Sequence, residues 1–354
     1  MTAVRVGYDA APLLDAPTGV GRYAGELAGE LELRGIDVVR FAVSWGAPRI
    51  DGVRRWRVPA RAARGAWRRW GRPPIERLTG PVDLVHATNF VLPALRGTPG
   101  VVTVHDLSFF RDDTWPGGHR LRDLVPWSVR RAAKVIVPTQ AIAAEVAERF
   151  QVGDDRLAVT PEGVAPVFFG ARPLSEAALG RLGIPGPFVV AVGTIEPRKN
   201  LATLLRAWRA VAGELDGWRL VIAGPKGWGP ELPETPGVIP IGWVGDETLP
   251  GLLAAASAFV YPSVYEGFGL PPLEAMAAGT PAVVGRYSAA PEVLGDAAWL
   301  VDPHDADGFA GALRTLATDE ATRASYALAG KAQALGYTWA GTATATISAY
   351  RSIL

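Results

Sequence analysis

The sequence predicts an α/β protein made of two Rossmann-like, doubly wound parallel-sheet domains that face a cleft. Three observations support this. Short β-branched runs, apolar on both faces, recur along the chain; each leads into a segment with apolar residues every three or four positions; and the alternation weakens once, near the middle. Runs apolar on both faces suit strands covered by helices on each side, and their alternation with helical stretches describes βα units. A length of 354 residues is about twice that of a usual single domain, which agrees with two cores.

In the first half the strand runs are VRVGYD (4–9), DVVRFAV (37–43), DLVHA (83–87), VVTVHD (101–106) and KVIVPT (134–139). In the second half they are FVVAVGT (188–194), RLVIAG (219–224), AFVYPS (258–263) and PAVVG (281–285). Helical periodicity covers 20–33, 141–150, 201–215, 307–317 and 320–335. Between Pro161 and Pro187, prolines and glycines break the pattern, which places the junction there. The expected division is a first domain over 1–165, a linker over 166–186, a second domain over 187–336, and a last helix over 337–354. In such sheets ligands sit beyond the carboxyl ends of the strands, so the chemistry is sought in those loops.

Composition excludes several classes. There are no cysteines, hence no disulfide framework, thiolate metal site or cysteine nucleophile, and a reducing compartment fits. The start, MTAVRVGYDA, reads as a buried strand rather than a secretory signal, and the longest uncharged windows are broken by Pro and Gly. A cytoplasmic protein, or one peripheral on the inner face of the plasma membrane, is expected. Net charge is only +1, but residues 1–160 hold 23 Lys+Arg against 17 Asp+Glu, so the amino-terminal half is the basic one. The four histidines, His86, His105, His119 and His304, show no ligand spacing, so no metal site is expected. No nucleic-acid partner is expected from the charge balance.

Four stretches carry the chemistry. In EGFGLPPLEAMAAG (266–279), Pro271 and Pro272 fit a first helical turn and Gly279 fits just past the end, so the loop containing Phe268, Gly269 and Leu270 presents free N–H groups to an anion or sugar. Glu266 and Glu274 would approach one ligand from separate positions; alternatively Glu274 caps its helix and Glu266 is solvated. In VGTIEPRKN (192–200), Gly193 allows close backbone approach, Asn200 can cap the next helix, and Arg198 with Lys199 suit a diphosphate, unless the turn is simply solvated. In PTGVGRYAGELAGEL (17–31), Thr18, Gly19 and Gly21 open a helix at the first βα crossing after an unusually long loop; with Ala24 in the last glycine position, a dinucleotide fingerprint is only a minor rival. His105 and His86 stand at strand ends, which favours the cleft for both.

Residues 53–78 carry nine arginines, three tryptophans and one acid. Such a segment suits an anionic membrane surface, a phosphorylated acceptor or stacked RNA bases. The alternative is a solvated loop whose tryptophans pack back on the domain.

Taken together, TGVGRY, VHDLSFF, VGTIEPRKN, AGPKGWG, IGWVGDETLP, YPSVYEGFGLPPLEAMAAGTPAV and PEVLGDAAWLVDP resemble glycosyltransferase family 4, the group 1 retaining transferases of GT-B fold. The resemblance runs to about residue 335 and is strongest to bacterial mannosyl- and rhamnosyltransferase-like members. It implies that Glu266 holds the donor sugar's hydroxyls and Glu274 the nucleotide ribose. The backbone of Phe268, Gly269 and Leu270 would contact sugar and phosphate, Arg198 and Lys199 would neutralise the departing diphosphate, and Val244 would read the base. Gly19 would sit over the phosphate, and His105 beside the sugar's C6 hydroxyl and anomeric centre.

The implied reaction is metal-independent, retaining transfer of a hexose or deoxyhexose, mannose first, to a glycan or lipid-linked acceptor. No cofactor is needed beyond the donor, GDP-mannose ahead of a UDP- or dTDP-sugar. The resemblance also implies a final helix that crosses back to the first domain. The rival readings are a nucleotide-sugar epimerase of the same fold and a non-catalytic nucleotide-sugar-binding protein.

Overall fold

The computed structural model describes residues 3–14, 18–46 and 50–354. The chain divides into two compact units, Met1–Gly163 with Trp339–Leu354, and Val164–Thr338. Residues 166–186 are not a free connector: they contain the short helices Pro166–Phe169 and Glu176–Arg181 and cluster with the second unit.

The first unit is built on a seven-stranded sheet. Its strands are β1 (Arg5–Asp9), β2 (Asp37–Val43), β3 (Arg54–Trp56), β4 (Leu84–Ala87), β5 (Gly100–Thr103), β6 (Lys134–Val137) and β7 (Leu157–Val159). All pair in parallel, in the order β3-β2-β1-β4-β5-β6-β7. The helix Gly19–Leu33 buries Tyr23, Ala24, Leu27, Ala28 and Leu31, a three- and four-residue rhythm that forms one apolar stripe. Against the same core lies the last helix, Trp339–Arg351, through Trp339, Ala343, Ile347 and Tyr350. Each large apolar side chain among these contributes about 1.5–3 kcal/mol on removal from water, and Ala343 less. That is ample to hold a segment so distant in sequence in the first core.

The second unit holds β8 (Phe188–Val192), β9 (Arg219–Ala223), β10 (Val238–Gly242), β11 (Ala258–Tyr261), β12 (Ala282–Gly285) and β13 (Trp299–Val301). These too are parallel, in the order β10-β9-β8-β11-β12-β13. Leu204, Leu205, Trp208 and Val211 of the helix Leu201–Val211 meet Phe309, Leu313 and Leu316 of the helix Ala306–Thr318 in its core.

In both sheets the strand order reverses once, between β1 and β4 in the first and between β8 and β11 in the second. At such a point the connections leave in opposite directions and open a crevice at the carboxyl ends. The loops after β8 and β11 carry the Arg198–Lys199 turn and Glu266.

Candidate active site

In the second unit, β8 is followed by Gly193, whose φ is +149°. A Cβ there would meet the Lys199 Cε at 3.3 Å, and a Cβ on the facing Gly224 would fall 2.0 Å from the Gly193 carbonyl oxygen. Glycine at both positions lets the two strand ends and the lysine stem pack together. The chain then forms a tight turn over Pro197–Lys199 and passes Asn200 at φ +52° into the next helix.

Asn200 does not cap that helix with its side chain. Its amide instead donates to the carbonyls of Pro262, at 3.2 Å, and Pro303, at 2.5 Å, while its carbonyl oxygen accepts from the Thr203 hydroxyl at 2.9 Å. The sequence suggests capping because asparagine favours that place. The left-handed backbone turns the side chain across the sheet end instead, tying the cationic turn to the loops after β11 and β13.

Lys199 Nζ donates to Glu266 Oε1 at 2.6 Å and also contacts the Tyr261 hydroxyl. Arg198 Nη1 pairs with Glu266 Oε2, and its Nε lies 2.5 Å from Glu196 Oε1. The Ser263 hydroxyl, 2.6 Å away, and the Tyr261 hydroxyl, 2.9 Å away, complete the shell around Glu266 Oε1. Glu196, Lys199 and Glu266 are all buried. Burial alone would raise the Glu266 carboxyl, but the charges of Arg198 and Lys199 and the bonds from Lys199 and Ser263 outweigh it and hold it at about 2. Burial, opposed by both cations, raises Glu196. Burial and the neighbouring Arg198 lower Lys199 against the pull of Glu266 and Glu196.

Beyond Glu266 the loop continues through Phe268, which is buried with its ring edge-to-face on Tyr337 at 5.6 Å. Gly269 has φ +101°, and a Cβ there would strike the Tyr287 hydroxyl at 2.1 Å, so only glycine fits. Leu270 begins the helix Leu270–Ala277 with Pro271 and Pro272 in its first turn. Glu274 is buried within that helix and does not cap it, since the capping position is Gly269. Val244 lies half-buried in the loop just past β10, the edge strand of the same sheet. The structure thus joins Arg198, Lys199 and Glu266 directly, and adds Glu196, Tyr261 and Ser263. Glu196 is written inside VGTIEPRKN, where a third charge in a strand-end turn could have marked it.

In the first unit Gly19 is the first residue of its helix, and a Cβ there would meet nothing within 4 Å. Gly21 is a packing glycine, since its Cβ would approach the Pro12 carbonyl oxygen at 3.1 Å. Thr18 accepts from the Gly21 N–H at 3.1 Å as the helix cap. The long loop before Thr18 falls partly outside the described residues.

His105, just past β5, uses both ring nitrogens within the unit: Nε2 lies 2.9 Å from the Thr88 carbonyl and Nδ1 3.2 Å from Glu162 Oε1. His86 is a correction to the sequence reading. Its ring is wholly buried, with Nδ1 2.7 Å from the Tyr350 hydroxyl and Nε2 2.8 Å from the Thr103 hydroxyl. Burial, then the charge of His105, lowers it to about 3. It fastens the last helix to the sheet and does not face the crevice.

The basic segment is divided in its roles. Its helix, Ala60–Trp70, buries Ala63 and Trp67 in a cluster with Phe41, Val43 and Ile75, against which Trp56 also packs. Trp70 is 71% exposed, so the packed-back alternative holds for two of the three tryptophans. Arg54 donates to the Thr79 carbonyl at 2.5 Å, and Arg68 pairs with Asp123 at 2.9 Å. Arg57, Arg61, Arg69, Arg72 and Arg77 are exposed. Among the described residues, no helix is long and apolar enough to cross a membrane, and no three His, Asp or Glu side chains gather as a metal-holding group.

Two parallel switch-point sheets, the second carrying Lys199 and Arg198 on the buried Glu266, define a doubly wound α/β protein of two units, and comparison with known proteins gives its family. A model described as Glycosyltransferase Family 4 matches residues 17–168, and one described as Glycosyl transferases group 1 matches 186–319. The O-antigen chain mannosyltransferase B of Escherichia coli is 32% identical over 76% of this chain and 74% of that protein. The serotype-specific mannosyltransferase WbdA of the same species is 29% identical over 63% of this chain, which spans only 29% of its length. Sucrose-phosphate synthase from Thermosynechococcus elongatus superposes with a TM-score of 0.76 over 98% of each chain at 19% identity, which shows the fold. The chain belongs to the family 4, group 1 glycosyltransferases, and its fold is GT-B.

Proposed function

We propose that this glycosyltransferase moves mannose, with retention and without a metal, from GDP-mannose to a glycan or lipid-linked acceptor. The observation that carries the reading is the buried Lys199 and the part-buried Arg198 held together on Glu266 at the switch point of the second sheet. The mannosyltransferase relatives support the choice of sugar.

The diphosphate gains negative charge as its bond to the anomeric carbon breaks. Fixed cations and oriented N–H groups therefore stabilise the transition state more than the bound donor. Arg198 and Lys199 supply the charge, and the loop Phe268–Gly269–Leu270 with the start of its helix supplies the N–H groups. That division of labour supports a reaction needing no divalent ion, and turnover unchanged in EDTA is the expected result. Retention is assigned to attack on the face from which the diphosphate leaves. A carboxylate engaged on both oxygens and held at about 2 is a poor nucleophile, which supports a positioning role for Glu266 rather than a covalent one. Glu274 would hold the ribose, Val244 the base, and Gly19 and His105 the phosphate and sugar from the first unit.

The exposed Arg57, Arg61, Arg69 and Trp70 fit the surface of an anionic bilayer, where charge and an interfacial ring act together, and this supports a peripheral, cytoplasmic-face protein. The deciding experiment is a panel of GDP-, UDP- and dTDP-sugars read by thermal stabilisation and turnover, with the anomeric configuration of the product followed by NMR. Stabilisation by GDP-mannose and an α-linked product are expected. Failure of every sugar nucleotide to bind would remove the reading.

A further inference from the structure

We propose that Glu196 is the charge-balancing group of the donor site, taking up one proton from solvent when a nucleotide diphosphate binds. The inference rests on the diphosphate reading of Arg198 and Lys199 and extends it to a residue which that reading leaves without a task.

The charges require some such response. Arg198 and Lys199 are already matched one for one by Glu196 and Glu266, through Arg198 Nε to Glu196 at 2.5 Å, Arg198 Nη1 to Glu266, and Lys199 Nζ to Glu266 at 2.6 Å. This cluster of four is thus neutral before any ligand enters. A sugar diphosphate brings about two negative charges, and unbalanced charge away from water costs several kcal/mol. If the two cations turn to the diphosphate, their carboxylates lose them as partners, and whatever the pairing the occupied cluster carries about two unbalanced negative charges unless a proton is taken up.

The two carboxylates are not equally able to give up a cation. Glu266 keeps the Ser263 hydroxyl at 2.6 Å and the Tyr261 hydroxyl at 2.9 Å as well as Lys199, so it remains solvated by the protein if Arg198 turns away. Glu196 has Arg198 as its one ion-pair partner among the described residues, and its Oε1 is buried without an aligned hydrogen bond. Once the diphosphate draws on that guanidinium, Glu196 is left in a buried place beside new negative charge. Desolvation and a like charge act in the same direction, toward the protonated acid.

The groups that face Glu196 are few. Arg198 and Lys199 come from its own turn, and Glu266 from the loop after β11. Lys226 of the loop after β9, bridged to the strand-like Ile195, has its ammonium turned outward onto Glu231. No second carboxylate in that set is both buried and dependent on one partner. A protonated Glu196 would restore one unit of charge and become a hydrogen-bond donor next to phosphate oxygens.

The test is isothermal titration of the full chain with GDP-mannose, with UDP-glucose in parallel, in phosphate and in Tris between pH 5.5 and 9. The diphosphates of both sugar nucleotides have no titration of their own in this range, and their bases stay neutral over all but its upper end. A net uptake approaching about one proton is expected, with affinity falling by up to about tenfold per pH unit as pH rises through the window between the free and bound values. Glu196→Gln, which keeps the size and loses the titration, should bind with proton uptake and pH dependence both abolished. Tight binding by the wild-type protein with no proton uptake at any pH overturns the inference while leaving the donor site standing. Unchanged uptake in Glu196→Gln also overturns it, and the wild-type count decides by itself should that variant fold poorly. Failure of both nucleotides to bind removes the donor reading and this inference together.

Discussion

Lys199 and Glu266, 67 residues apart in sequence, meet at 2.6 Å between the two strands that flank the reversal of the second sheet. The pair joins the loop after β8 to the loop after β11, so one contact both closes the crevice floor and fixes a cation in it. Arg198→Ala and Lys199→Ala are each expected to lower kcat by about 10- to 1000-fold, the range for losing one group that stabilises developing charge. Steady-state rates at saturating donor check this, and near-normal kcat in both variants would remove the diphosphate role.

Glu266 also links that contact to stability. Its carboxyl sits at about 2 in the folded protein against 4.5 ordinarily, so the ion pairs contribute fully above pH 4.5 and are lost as pH falls toward 2. Glu266→Gln leaves the buried Lys199 and the part-buried Arg198 each short of a partner and should cost on the order of 3 kcal/mol at neutral pH. The gap in denaturation midpoint between wild type and variant should narrow below pH 4.5. A gap that stays constant from pH 7 to 3 would count against an ionised, load-carrying Glu266.

His86 gives a dependence of the same sign in the first unit, but in a higher pH window and from a ring kept neutral rather than a carboxyl kept ionised. Burial lowers its ring from 6.5 to about 3, so between those values the unfolded chain binds a proton that the folded one refuses. Stability therefore falls as pH drops through that window, by up to about 1.4 kcal/mol per pH unit for this one group. Below pH 6.5, His86→Gln should lose stability less steeply than the wild type. Tyr350→Phe removes the hydroxyl 2.7 Å from His86 Nδ1 and should cost about 1–3 kcal/mol for the unpaired nitrogen. Faster hydrogen exchange confined to Trp339–Arg351 would locate that loss.

Asn200 tests whether the cationic turn must be held rigidly. Asn200→Asp keeps the shape but loses both amide donations, to Pro262 and Pro303, and sets a carboxylate against two carbonyls. Asn200→Gly relieves the φ of +52° and loses the same ties. Both should lower kcat, with KM for donor rising less. The glycine variant should keep a melting temperature nearer to the wild type, because its backbone prefers the left-handed region. Wild-type kcat in both would show that the turn stands without its tether.

The interior of the fold was legible in the sequence and its borders were not. Every central strand follows from a continuous apolar run, whereas β3, β7, β10 and β13 are the four sheet edges. Of these, β3 and β10 mix Arg54, Arg55 and Pro240 into their runs, and β7 and β13 are apolar but only three residues long, too short to show a period. The site was legible as far as local order reaches: Arg198, Lys199 and Glu266 stand where strands end, and proline and glycine mark the helix after Glu266. What pairs with what was hidden, because the partners lie more than 60 residues away. His86 misled for the same reason: its partner Tyr350 sits 264 residues further along the chain.

The arginine-rich surface offers the last test, because the structure separates its structural arginines from its open ones. Arg54 is spent on the Thr79 and Leu78 carbonyls, and Arg68 on Asp123. Arg61 and Arg69 project from one helix on the side opposite its core residues Ala63 and Trp67, and Trp70 is exposed at the helix end. Sedimentation with vesicles rich in anionic lipid should show binding that falls steeply with salt, since exposed charges are screened over about 10 Å at 0.1 M. Each open arginine near the surface contributes about 1 kcal/mol. Arg61→Gln with Arg69→Gln should therefore weaken binding by about 30-fold at low salt, and Trp70→Ala should weaken it further without changing the salt slope. Arg54→Gln serves as the contrast, lowering the melting temperature while leaving vesicle binding in place. Binding indifferent to salt and to the open arginines, yet sensitive to Arg54→Gln, would assign the segment to the fold alone.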